Sequence, residues 1–296
     1  MEASRQVLGR ATARRDEAWR RAAQENRRRS LTAIVPPFGP GVVLAVLGIF
    51  AMPLLVAGVV VLALWGVIAV IAWRGAVAGT GSRLGGMSPD DAVRAGVLAP
   101  LAAERYRDVT ESLCAALGLE QPRLSVLVDA APNAIATGAR PDAAQLDLTT
   151  GLLAGVDRIQ LEAVLAHELA HLKRVDTLSG GLSTKLLRGG SLPLPGAARL
   201  ARWLEGSARE LEADLGAVQV TRYPPALVSA LESMSRAPST VPEASVPADA
   251  RRATARQWIV PIEETGTTRS GGDDGTTRPA DRVFTLSDRL EVLVEL

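Results

Sequence analysis

The strongest pattern along the chain is a single long apolar block set among stretches of mixed polarity. Residues 31–73 contain no Asp, Glu, Lys or Arg. Read as one helix, this block would be about twice the ~30 Å hydrocarbon thickness of a bilayer. Pro36, Pro37, Pro40 and Pro53 interrupt it. The pattern therefore predicts a transmembrane helical hairpin, with spans near 32–50 and 54–73 and a turn at Ala51-Met52-Pro53. The alternative, a hairpin buried in a soluble core, sits poorly with so long an uncharged run. Thirty polar residues come first, which argues against a signal peptide.

The flanks give the orientation. Residues 1–30 carry Arg5, Arg10, Arg14, Arg15, Arg20, Arg21, Arg27, Arg28 and Arg29, and Arg74 and Arg83 follow the second span. The positive-inside rule then places both ends of the hairpin in the cytoplasm. Residues 2–29 read as a polar, arginine-rich helix, solvated beside the membrane.

Past the apolar block the periodicity changes. Ser88-Pro89-Asp90-Asp91 is a helix start, and residues 99–117 form a helical pattern closed by Gly118. Arg123–Val128 alternates as a strand; Asn133–Thr137 and Gln145–Leu148 are two more. Ala131-Pro132 and Gly138-Ala139-Arg140-Pro141 supply the turns between them. Residues 159–173 form a helix with Leu161, Val164, Leu165, Leu169 and Leu172 at helical spacing. A Gly/Pro-rich connection follows at 179–196, then helices near 197–221 and 224–236. The composition of residues 237–281 predicts a flexible segment, and residues 285–296 a short terminal helix.

Composition narrows the function. The net charge is +1 over 296 residues, so nothing points to nucleic acid. Lys173 and Lys185 are the only lysines; with abundant Ala, Gly and Val, this suggests a bacterial source. Cys114 is the only cysteine. It excludes an intrachain disulfide and a cysteine-based metal site, and reads as a small buried residue on a helix.

The candidate chemistry lies in the helix at 159–173. It carries both histidines of the chain, as His167-Glu168-Leu169-Ala170-His171. Positions i and i+4 share a helix face, so both imidazoles can bind one ion. Glu168 can reach the coordination position where water would sit. A catalytic zinc takes three protein ligands, and no third histidine exists, so the third must be a carboxylate. In Ala208-Arg209-Glu210-Leu211-Glu212-Ala213-Asp214, Glu210 and Asp214 share a face, with Glu212 about 200° around the axis from Glu210. Either Glu210 coordinates and Asp214 supports it, or the reverse.

Three segments together resemble the HtpX / CAAX prenyl protease-type family of membrane zinc metallopeptidases, the glutamate-zincins. Pro132-Asn133-Ala134-Ile135-Ala136-Thr137-Gly138 is similar to the family's Pro-Asn-Ala-Phe-Ala-Thr-Gly strand. Thr149-Thr150-Gly151-Leu152-Leu153, followed by the histidine motif, is similar to its run into the active-site helix. Glu210-Leu211-Glu212-Ala213-Asp214 is similar to its Glu-x-x-Ala-Asp segment. The match covers roughly residues 31–236. Two family features are missing. Residues 180–200 hold Lys185, Arg188 and Arg199 where members often have a second apolar pair, and read as an amphipathic or flexible lid. The C-terminal His-Pro element has no histidine here, although Leu286-Ser287-Asp288-Arg289-Leu290 can keep the arginine that follows it.

The resemblance implies an α+β, mainly helical fold. An N-terminal transmembrane hairpin leads into a zincin-like catalytic domain with a small β-sheet and an active-site helix. The expected divisions are an arginine-rich helix at 1–30, the hairpin at 31–73, a metallopeptidase domain at 74–236, the flexible segment at 237–281 and a helix at 282–296. It also implies one Zn2+ per chain held by His167, His171 and Glu210, with Glu168 as general base and Asp214 orienting a histidine. Asn133, Ala134, Ile135 and Ala136 would form the strand that binds an extended substrate. The expected protein is a multi-pass enzyme of the bacterial cell membrane, catalytic domain cytoplasmic, with polypeptide substrates and the lipid bilayer as partners. Sequence-tolerant backbone pairing would suit removal of damaged membrane proteins. The competing reading is an inactive, metal-binding relative that acts as a membrane scaffold.

Overall fold

Helix α1 (Glu2–Ile34) leads into two apolar helices, α2 (Gly39–Leu47) and α3 (Met52–Ala78). They belong to a computed structural model that describes residues 2–34, 39–47, 52–78, 84–188, 208–236, 254, 257–260 and 284–296. Within α3, Leu55–Val77 is long and apolar enough to cross a membrane, and only 6% of its most apolar window is buried. Val59, Leu64, Val67 and Ile71 stand exposed on it, which is the opposite of a soluble core helix. Helix α2 lies against α3: a Cβ on Gly41 would come within 2.8 Å of the Leu62 side chain. The expected pair of spans thus differs in detail. Among the described residues one helix is long and apolar enough to cross a membrane, and the described part of the first expected span lies at the end of α1 and in the nine-residue α2. Residues 35–38 and 48–51, Ala51 of the expected turn among them, lie outside the described residues, while Met52 and Pro53 of that turn open α3.

The remaining elements build one core. In order they are α4 (Pro89–Arg94), α5 (Pro100–Leu117), β1 (Arg123–Leu127), β2 (Ala134–Thr137), β3 (Gln145–Thr149), α6 (Thr150–Gly155), α7 (Arg158–Arg174), α8 (Asp176–Arg188), α9 (Arg209–Thr221), α10 (Pro224–Arg236) and α11 (Leu286–Val294). The sheet order is β1-β3-β2, with β1 parallel and β2 antiparallel to β3. Strand β2 is therefore an edge. The β2–β3 turn needs Gly138, at φ 83°: a Cβ there would lie 2.0 Å from the Ala143 carbonyl oxygen. One sheet face presents Val126, Ala134, Ala136, Leu146 and Leu148 to a core shared with Tyr106 and Leu113 of α5, Leu161 and Leu165 of α7, and Leu227 and Leu231 of α10.

Helix α7 runs through this core. It starts at a capping box in which the Asp157 carboxylate accepts from Gln160 N (2.8 Å) and Gln160 Oε1 accepts from Asp157 N (3.0 Å). It ends at Val175, whose φ of 57° lies in the left-handed region. Two expectations are corrected around it. Helix α1 is docked rather than solvated: Trp19 is buried against Ala170 and Ala213, and Asn26 Nδ2 donates to Arg174 O at 3.0 Å. Residues 179–188 belong to α8 rather than to an irregular connection. Gly181 serves close packing there, since a Cβ would sit 2.9 Å from Ala76 O of α3. Ala139 N also donates to Val77 O at 3.1 Å, joining the end of α3 to the loop after β2.

The expected flexible segment is corrected in part. Trp258 and Ile259 have no exposed surface, and an apolar pair of this kind is stabilised by leaving water. The rest of 237–281, apart from Thr254 and Gln257–Val260, lies outside the described residues, as do residues 189–200 of the expected lid.

Candidate active site

Helix α7 places His167 and His171 one turn apart, and both rings are fully buried. Their Nε2 atoms face each other at 3.1 Å. Helix α9 crosses α7 and brings Glu210 to the same point, with Oε2 3.3 Å from His167 Nε2 and Oε1 3.6 Å from His171 Nε2. Two Nδ1 atoms turn the other way. That of His167 lies 2.8 Å from Asp214 Oδ1, and that of His171 lies 2.9 and 3.0 Å from the two oxygens of Asp176. With a carboxylate beside each Nδ1 favouring the proton there, both Nε2 atoms present lone pairs to one another. That arrangement is repulsive unless a cation lies between them.

The donor set fits a tetrahedral ion. Ligand bonds of about 2.0–2.1 Å imply donor–donor separations of about 3.3 Å, close to the three distances above. Both Glu210 oxygens are buried without a hydrogen-bond partner among the described residues, which suits a metal ligand. Imidazole and carboxylate donors, with no thiolate, match zinc and other borderline divalent ions.

Two glutamates are driven in opposite directions. Burial raises the Glu168 carboxyl above the ordinary carboxylate value, and neither of its oxygens has a hydrogen-bond partner among the described residues. At Glu210 burial acts the same way, but His171 and His167 outweigh it and hold the group well below that range. A pair split in this way suits one proton carrier and one permanent anion. Burial, the largest influence on both histidines, favours neutral rings. Asp214 and Glu210 outweigh it at His167, and Asp176 outweighs it at His171, which rises to about 9.

Behind the histidines lies a layer of ion pairs. Arg289 of α11 grips Asp214 through Nε (2.6 Å) and Nη2 (2.8 Å) and lies 3.6 Å from Glu210 Oε2. Arg209 Nε donates to Asp176 at 3.3 Å, and Arg174 Nε lies 3.6 Å from the same carboxylate. Glu212 points away, half-exposed, and pairs with Arg174.

The structure thus brings His167, His171, Glu210, Glu168 and Asp214 together. It places Asn133 just before the edge strand, with Ala134, Ile135 and Ala136 on β2, all four buried. Sequence reasoning missed Asp176 and Arg209. The signal for Asp176 was a carboxylate two residues past the end of the motif helix, of the kind that commonly orients a metal-ligating histidine.

A helix-borne His-Glu-x-x-His site with a glutamate as third donor, beside an edge strand, is the layout of a metallopeptidase centre. The chain belongs to peptidase family M48, whose sequence profile matches residues 100–259. Curated relatives are of the HtpX type. A "Protease HtpX homolog" of Ralstonia nicotianae is 34% identical over 54% of this chain and 64% of its own length. One of Paraburkholderia phytofirmans is also 34% identical, over 54% and 65%, and one of Dictyoglomus thermophilum is 32% identical, over 44% and 53%. The chain spans less than two thirds of the length of these relatives. No solved structure gives a significant match.

Proposed function

We propose that this chain is a membrane-anchored zinc metalloendopeptidase with its catalytic domain in the cytoplasm. The observation that carries the reading is the convergence of both Nε2 atoms and Glu210, with Glu168 buried and without a hydrogen-bond partner among the described residues. His167, His171 and Glu210 would hold one Zn2+ per chain. When bound, zinc supplies Lewis-acid polarisation of the scissile carbonyl and makes water a better acid.

The chain's own groups do the rest. Glu168 takes the proton of the attacking water and returns it to the leaving amine; its burial raises its proton affinity toward that task. Asp214 and Asp176 hold the histidine Nδ1 protons and so aim the Nε2 lone pairs. The β2 edge pairs with an extended substrate backbone, a mode indifferent to side chains and suited to clearing damaged membrane proteins. The apolar, exposed α3 supports anchoring in the lipid bilayer. Two passes through it, with α2 in the first, keep α1 and α7 on the arginine-rich cytoplasmic side.

The test combines zinc analysis of purified protein with casein cleavage. The expected result is one zinc per chain and cleavage that stops with chelator and returns with zinc. A zinc-loaded chain that leaves casein intact would overturn the reading.

A further inference from the structure

The outer edge of β2 is already paired. Thr149 N donates to Asn133 O at 3.1 Å, so Asn133 faces β3 and strand alternation turns the Ala134 carbonyl outward. That carbonyl accepts from Ile259 N at 3.1 Å. The Asn133 carboxamide takes the next residue on both sides: Nδ2 donates to Val260 O at 2.8 Å, and Oδ1 accepts from Val260 N at 3.3 Å. Arg289 Nη1 donates to Ile259 O at 2.9 Å while the same guanidinium grips Asp214. The Ile259–Val260 peptide is therefore one guanidinium away from Glu210.

All of these contacts are to backbone atoms. An edge carbonyl, a carboxamide that reads N–H and C=O together, and a guanidinium on a carbonyl would bind any extended peptide lying along β2. Here the chain's own residues take them. The segment is further pinned outside the cleft: Gln257 Nε2 donates to Gly180 O at 2.7 Å, and Trp258 Nε1 donates to Thr254 Oγ1 at 3.2 Å. Nothing in the chemistry of the zinc donors requires this pairing, since Asp214 is held by Arg289 without it.

We propose that Gln257–Val260 is an internal occupant of the substrate-binding edge, so that only the fraction of molecules in which this segment has left β2 takes substrate and the unaltered chain cleaves slowly. The proposal rests on the peptidase reading of the same site. Asn133 and Arg289 then become substrate-positioning residues, each holding a mimic of the substrate backbone. The apparent affinity for substrate is reduced by the fraction of molecules in which the segment is displaced.

The experiment uses the full zinc-loaded chain in detergent. The double variant Trp258→Ala/Ile259→Ala is compared with the unaltered protein for zinc content and for cleavage of an unstructured fluorogenic peptide. The expected result is full zinc and cleavage faster by about tenfold or more, because deleting two buried apolar side chains weakens the docking of the segment by more than a tenfold rise in its displaced population requires. Equal or slower cleavage by a zinc-loaded variant overturns the proposal. A second arm needs no variant. Hydrogen exchange of the unaltered protein is followed with and without a zinc-binding peptide hydroxamate. Loss of protection at the Ile259 and Val260 amides is expected, and retained protection with hydroxamate on the zinc overturns the proposal. If both proteins hold zinc and neither cleaves, the peptidase reading fails, and the exchange arm still decides the occupant.

Discussion

Asp176 meets His171 with both carboxylate oxygens, at 2.9 and 3.0 Å from Nδ1, although it lies beyond the end of the helix that carries the histidine. The left-handed turn at Val175 makes this possible by reversing the chain at once. Asp176 thus fixes which nitrogen of His171 stays free. Asp176→Asn or Asp176→Ala should weaken zinc binding by roughly 10–100-fold. Titration against a competing chelator measures this; unchanged affinity would mean that Asp176 only stabilises the turn.

Glu168→Gln should keep the zinc and lose cleavage, by about 10²–10⁴-fold, the ordinary worth of a positioned base. Zinc stoichiometry and peptide turnover are measured on one preparation. Loss of metal, or near-normal turnover, would remove Glu168 from the role of base.

The two acidic neighbours on α9 should separate cleanly. Glu210→Ala should lower zinc content, because under the proposed reading Glu210 supplies the third donor. Glu212→Ala leaves it intact, because Glu212 faces outward onto Arg174. The opposite result would reassign the ligand.

Asp147 predicts a pH dependence that is independent of the metal. It sits at the centre of the sheet, and burial raises its pKa from 3.8 to about 7, against the hydrogen bonds of Ser125 and Gln145. A group with a raised folded pKa holds its proton in the native state after the unfolded chain has released it. The stabilisation contributed by the protonated Asp147 is therefore complete below about pH 4 and is lost as pH rises to about 7, by on the order of 4 kcal/mol in all. Asp147→Asn removes that loss. Its melting temperature should exceed that of the unaltered protein at pH 8, with the gap narrowing toward pH 5; a gap that does not change with pH contradicts the assignment.

Topology is open to direct measurement. Reporter fusions at Arg15 and after Arg83 should both report cytoplasm. A cytoplasmic signal from the first with a periplasmic one from the second would leave a single span, and the substrates would then lie outside.

The candidate donors were legible because they depend on local periodicity, although only the family resemblance chose Glu210 over Asp214. His167 with His171, and Glu210 with Asp214, are i,i+4 pairs, and helix geometry alone puts each pair on one face. The strands and α5, α7 and α10 followed from apolar spacing and from turn residues such as Gly118 and Gly138. What stayed hidden depends on contacts between distant segments. Trp19 needs Gly216, where a Cβ would come within 2.6 Å of the indole, and no local pattern links the two. Gly180 and Gly181 resembled a break because glycine marks both loops and close helix contacts. Val175 gave no sign of a left-handed turn, since β-branched residues seldom adopt one. Trp258 and Ile259 were masked by the Pro-, Ser- and Thr-rich residues around them.

Ala76 and Val77 join the end of α3 to the elements beside β2. One packs against Gly181 and the other holds the Ala139 amide, two residues past β2. Under the proposed anchoring, the helix that stands in lipid is joined by a hydrogen bond and a backbone contact to the edge that receives substrate. The enzyme then works as a ruler mounted on the bilayer. Bonds at one height above the lipid come within reach, and the position of a bond relative to the membrane surface, more than the side chains beside it, decides whether it is cut.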